Sequence, residues 1–148
     1  MIIQAVKVVL EEHELAVRVL PGLSAVQQLK DVTFGLAPGA VKIGGKFQVG
    51  FSVPFETQWT TDVLEHGRKL GVRLAHVSVG LMGLTPAMVS SQVMNVLSQK
   101  LQGIAGVAVE NEVIILEPSV LLASKGIGMD VPVKRVDVFQ GRVEIEVG

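Results

Sequence analysis

From Val41 to Trp59 the large apolar residues fall on one parity. Val41, Ile43, Phe47, Val49, Phe51, Val53, Phe55 and Trp59 are odd-numbered, while Lys42, Lys46, Gln48, Ser52, Glu56 and Gln58 are even. A period of two marks extended backbone with one dry face and one wet face. At about 3.3 Å per residue an unbroken ribbon of this length reaches about 60 Å, far beyond an ordinary strand. Gly44-Gly45, Gly50 and Pro54 are the places where it bends or is interrupted, since glycine marks bulges and proline leaves a ladder donor missing. Such a ribbon needs a cover for its apolar face, and what supplies that cover is the functional question.

Shorter patterns flank it. Val6, Val8 and Leu10, the polar Glu11-Glu12-His13-Glu14, then Leu15, Val17 and Val19 up to Pro21-Gly22 read as a hairpin. Leu23 to Lys30 reads either as a short helix capped by Ser24, carrying Val26 and Leu29, or as an irregular crossing. Val32, Phe34 and Leu36 alternate as a strand that turns at Ala37-Pro38-Gly39. Past the polar connection Glu65-His66-Gly67-Arg68, Val72 and Leu74 hold one parity and Val77, Val79 and Leu81 the other. A bulge at Ala75-His76 produces that switch.

One helix stands out. Thr85 is a good N-cap and Pro86 suits the first helical position. Val89, Val93, Val96, Leu97 and Leu101 follow at helical spacing, and Gly103 ends the run. Valine is a poor helix former, so this helix depends on tertiary packing. Beyond it, Val107–Val109 and Val113–Leu116 form a hairpin around Glu110-Asn111-Glu112. Pro118 to Gly128 is an apolar loop or short helix. Val131–Val138 and Arg142–Val147 close the chain as a hairpin around Gln140-Gly141, with Glu144 and Glu146 outward. Many strands around one central helix, without βαβ alternation, predict a single antiparallel α+β domain over residues 1–148.

Composition narrows the function classes. Hydrophobic residues make up 49% of the 148 and charged ones 18%, and net charge is −1. There is no electrostatic footprint for nucleic acid or for an anionic membrane surface. Without cysteine, disulfides, thiolate nucleophiles and cysteine metal sites are excluded. No apolar run approaches the roughly 20 residues of a membrane span, and the N-terminus lacks the pattern of a signal peptide. The expected location is the cytoplasm.

Candidate chemistry is sparse. Gly44-Gly45 and Gly126-Ile127-Gly128 lack the lysine and strand-to-helix context of a phosphate cradle. His13 lies among Glu11, Glu12 and Glu14, but neighbours in a turn converge poorly on one ion, and no metal or cofactor is expected. Glu65, His66 and Asp62 are the one acid/base grouping, and they define the enzymatic alternative. Ser90, Ser91 and Ser124 have no triad around them, and no catalytic residue is assigned. Five exposed residues of the Phe47–Phe55 face would cost on the order of 10 kcal/mol at about 1.5–3 kcal/mol each, so the face must be covered.

The runs LKDVTFGLAPGAVKIGGKFQVGF, VRLAHVSVGLMGLTPAMVSSQVMNVLSQKL and VKRVDVFQGRVEIEVG carry a further signal. With a mid-strand glycine, a Leu-Thr-Pro helix entry and a final V-D-V-x-x-G-x-V-E-I hairpin, the chain from Leu29 to Val147 resembles bacterial single-unit members of the tubular lipid-binding (TULIP) superfamily, distantly akin to the bactericidal/permeability-increasing type. The resemblance implies a long, strongly curved antiparallel sheet wrapped around one main helix, with a lipid's acyl chains in the groove between them. By position, Phe47, Val49, Phe51, Val53 and Phe55 would line the sheet side, and Val89, Val93, Val96 and Leu97 the helix side. Lys100 and Arg73 are candidate headgroup contacts. Many bacterial relatives are exported or lipid-anchored, and this chain shows neither signal.

The leading expectation is therefore non-enzymatic binding of a lipid or other long apolar ligand, by a homodimer that touches membranes only transiently. The alternative is a structural or interaction protein whose groove is filled by its own side chains and a partner subunit.

Overall fold

The alternation of Val41–Trp59 is carried by two strands rather than one ribbon. A computed structural model describes residues 6–48, 52–80, 85–123, 126 and 132–148. In chain order its elements are β1 (Val6–Glu11), α1 (Glu12–Ser24), β2 (Leu29–Ala37), β3 (Ala40–Gln48), β4 (Ser52–Leu64), a 3₁₀ turn (Glu65–Gly67), β5 (Lys69–Val79), α2 (Pro86–Leu101), β6 (Val107–Glu110), β7 (Val113–Leu116), α3 (Pro118–Ala123), β8 (Val133–Phe139) and β9 (Arg142–Val147). Strands β3 and β4 pair antiparallel from Val41↔Trp59 to Gln48↔Ser52. Odd residues face odd residues throughout that register, so one apolar face continues from each arm to the other. Parity survived the reversal, which is why the sequence reads as a single strand.

The described strands form two antiparallel sheets, ordered β2-β3-β4-β5-β7-β6 and β1-β9-β8. The bulge expected near Ala75 is present: Gln58 faces His76, Trp59 faces Leu74, and Ala75 is the extra residue. Asn111, with φ +55°, turns β6 into β7 as expected. The Gln140-Gly141 hairpin also forms, although β8 begins at Val133 and Val131 lies outside the described residues. Glu144 and Glu146 lie on the face opposite the core residues Val143 and Ile145, as expected, and pair with Lys7 and Arg135 at 3.4 and 3.7 Å.

The N-terminal hairpin is overturned. Glu12–Ser24 is helical, and β1 pairs instead with β9, from Val6↔Val147 to Glu11↔Arg142. Leu15, Val17 and Val19 satisfy a period of two, but Leu15, Ala16, Val19, Leu20 and Leu23 are half-buried at helical spacing while Val17 is 72% exposed. The Glu14 carboxylate accepts the Glu11 N–H at 3.3 Å, closing the helix start. Glu12 Oε1 accepts the Leu36 N–H at 2.6 Å and fastens α1 to β2. Docking and capping outweigh the strand preference of valine. Between α1 and β2 the chain crosses irregularly, the second of the two readings of Leu23–Lys30.

Helix α2 starts where the sequence places it, with Thr85 Oγ1 accepting the Met88 N–H at 3.2 Å. Thr85→Ala is expected to cost about 1 kcal/mol in a urea titration, the usual cost of losing such a cap; an unchanged midpoint would show that packing alone holds this end.

The apolar face of the larger sheet is covered in sections. Val26, Leu29 and Val89 close over Phe47, Val53 and Phe55. Met94 of α2 packs with Trp59 and Leu74. At the far end Leu36 meets Val138 and Val143 of the smaller sheet. The backbone joins the two sheets there, with Gly39 N–H donating to the Val138 carbonyl at 2.8 Å.

Candidate apolar groove

Two spaces lie beside α2, and they differ in kind. The inner one, between helix and sheet, is about 40 Å³ and is lined by residues including Phe47, Phe55, Trp59, Val93, Val96 and Leu97, without polar surface. The outer one is an open groove of about 1070 Å³ running along α2 beside Ala25–Gln28. Its floor is Val26, Phe47 and Val89, each only 3–4% exposed, with half-buried Val96, and its rim carries Gln27, Gln28, Ser91, Gln92, Asn95, Gln99 and Lys100. Phe47 and Val96 belong to both spaces and form the wall between them.

The expected lining residues are thus divided. Phe47, Val89 and Val96 border the outer groove, whereas Phe55, Val93 and Leu97 line the smaller inner space. Val53 is fully buried and serves as core. Val49 and Phe51 lie outside the described residues. Behind the floor the Phe47 and Phe55 rings pack tilted at 34° with centroids 4.6 Å apart. Lys100 lies at the rim of the groove, while Arg73 is exposed on β5 and is not part of the lining.

One polar pair sits inside the apolar interior. Thr57 is 1% exposed; its hydroxyl donates to the Ile43 carbonyl at 2.7 Å and accepts the Trp59 Nε1–H at 2.8 Å. Thr57 and Trp59 share the inward parity of β4, so the indole N–H finds its acceptor two residues away on the same face.

Neither Val26 nor the amide rim is identified by the sequence as groove lining. The Val26/Leu29 spacing was the available signal, but an irregular crossing has no period from which its facing can be read. Glu65 and His66 do border a separate polar cleft of about 490 Å³, shared with Arg68, Lys69, Glu117 and Ser119; Asp62 does not line it. There Lys69 Nζ lies 3.5 Å from Glu65 and 4.0 Å from Glu117. The acid/base trio is therefore not assembled. Glu11, His13 and Glu14, expected to diverge, bring their ligand atoms within 4.8 Å of one another, all on exposed side chains at the start of α1.

Fold and site together define an antiparallel α+β unit with a helix-covered sheet and an apolar-floored, amide-rimmed groove. Compared with protein families, curated proteins and solved structures, the chain matches none. Among the described residues no helix is long and apolar enough to cross a membrane.

Proposed function

We propose that this protein binds a lipid or another long apolar molecule along α2, holding it without chemical conversion. The observation that carries this reading is the open groove whose floor, Phe47 and Val96, is also the wall of an apolar inner space. A methylene chain laid on that floor gains about 0.8 kcal/mol per buried group, so eight methylenes supply about 6 kcal/mol before the cost of ordering the chain. The amide rim offers hydrogen bonds to a polar end, and Lys100 offers a cationic contact, the one among the described residues of the lining. In this reading the larger sheet and α2 correspond to the curved sheet and main helix of TULIP proteins, and the unit works as a cytoplasmic homodimer with brief membrane contacts.

A specific observation favours the alternative, a scaffold filled by its own side chains. The 40 Å³ between helix and sheet admits no more than a few waters and no long ligand, so the interior proper is already filled by side chains.

Native mass spectrometry of protein purified without detergent, followed by incubation with oleate or with phosphatidylglycerol, separates the two readings. The expected result is a one-to-one adduct that weakens at least tenfold in Asn95→Trp. Asn95 is an exposed rim residue, so the indole fills the groove without touching the core. No adduct with either probe, from a protein of normal thermal stability, would favour the self-filled scaffold.

A further inference from the structure

We propose that the free edge of β1 pairs antiparallel with the same edge of a second copy of this chain, joining their two smaller sheets into one. The inference rests on the homodimer of the reading above, and not on its ligand.

The backbone accounting leads there. Strand β1 is the edge of the order β1-β9-β8, whereas β8 at the other edge packs against β4. Glu12 N–H donates to the Gly141 carbonyl at 2.9 Å, extending the register in which Leu10 faces Val143 and Val8 faces Ile145. Antiparallel ladders alternate, so the even residues Val6, Val8 and Leu10 turn their N–H and C=O groups toward β9. Lys7 and Val9 turn theirs outward. Glu11 turns its N–H outward as well, but that donor is already taken by Glu14 at 3.3 Å. Among the described residues no strand pairs with this edge, and within Val6–Leu10 it presents two donors and two acceptors, those of Lys7 and Val9.

A two-fold axis beside Val8 satisfies all four. Lys7 then faces Val9 of the second copy and Val9 faces its Lys7, giving four backbone hydrogen bonds. A register centred one residue later would set Lys7 against Glu11, whose N–H is committed. The side chains agree with the first register. On one face Val8 meets Val8 and Val6 meets Leu10, covering valines that are 42% and 58% exposed. On the other face Lys7 meets Val9, itself 48% exposed, so no like charges are opposed. Lysine on an edge strand ordinarily discourages pairing, but Lys7 is held by Glu144 of its own sheet at 3.4 Å. An exposed apolar edge that complements itself fits a second copy of this chain.

The test uses the intact chain, which has no cysteine of its own. Sedimentation velocity across the micromolar range should give a dimer. Val8→Cys should cross-link under mild oxidant and Val9→Cys should not. In a facing pair without hydrogen bonds the Cβ atoms approach to about 4.5–5.5 Å, while Val9 lies across from Lys7. Val9→Pro removes an N–H that the β1–β9 ladder does not use, so it should halve the mass while leaving the circular dichroism and Trp59 emission unchanged. A monomeric wild type overturns the proposal and leaves the edge open to some other chain. So does a folded Val9→Pro dimer, or cross-linking of Val9→Cys in preference to Val8→Cys. Should Val9→Pro fail to fold, the two cysteine variants decide the matter alone.

Discussion

Gly67→Ala is expected to destabilise this protein by about 3 kcal/mol or more, read as a large fall in the urea midpoint with an unchanged slope. Gly67 is buried at the turn between β4 and β5 with φ +90°, a conformation that side chains resist. A Cβ there would lie 2.3 Å from the Val133 carbonyl oxygen and 2.9 Å from the Val133 nitrogen. Both are backbone atoms of β8, so relief requires the smaller sheet to move away from the turn rather than a rotamer to change. The neighbouring His66 is left-handed too, at φ +55°, but its side chain is exposed. His66→Gly should therefore stay within about 1 kcal/mol of wild type, since only backbone preference changes. An unchanged midpoint would show that β8 moves off this turn at no cost in stability.

Thr57→Val is expected to cost about 2–3 kcal/mol despite its near-identical shape. The substitution removes the acceptor of the Trp59 indole N–H and the donor to the Ile43 carbonyl, both in the interior. With Trp59 only 3% exposed, water does not replace the lost partner, and an unpaired buried donor carries its full desolvation cost. Thr57→Ser keeps the hydroxyl and loses one methyl, so it should fall about 1 kcal/mol below wild type, milder than valine. Trp59 is the only tryptophan, so its emission reports the same site during unfolding. Equal stability of the valine and wild-type proteins would show that the Thr57–Trp59 pair is energetically neutral. The threonine variants also bear on the groove, because Thr57 and Trp59 both border its inner space.

Much of the fold is legible residue by residue. The Thr85-Pro86 entry of α2, the Ala75 bulge, the β6–β7 turn at Asn111 and the Gln140-Gly141 hairpin each depend on interactions within a few positions. Local chemistry suffices for them: a hydroxyl cap, a parity switch, or a residue able to take a left-handed turn. The candidate site was legible where α2 and the sheet supply it, Phe47 and Phe55 by strand alternation. Val89, Val93, Val96 and Leu97 announce their common face by helical spacing, but the segment Ala25–Gln28 that walls the groove has no period. The Glu11-His13-Glu14 cluster was missed for a related reason, since a predicted turn became the start of a helix and helix geometry gathers those side chains.

The sequence by itself determined the faces: which residues of β3, β4 and α2 turn inward follows from periodicity, because burial of apolar surface is a local preference repeated at each position. Only the tertiary structure decided what those faces meet. Leu15, Val17 and Val19 fit strand and helix equally well, and docking against β2 selected the helix. The partner of β1 is β9, at the opposite end of the chain, a pairing that no short-range pattern encodes. Whether Phe47 lines a closed core or an open groove likewise depends on where Val26 and α2 come to rest. Periodicity specifies a side chain's direction, whereas packing distance is set jointly by elements far apart in sequence.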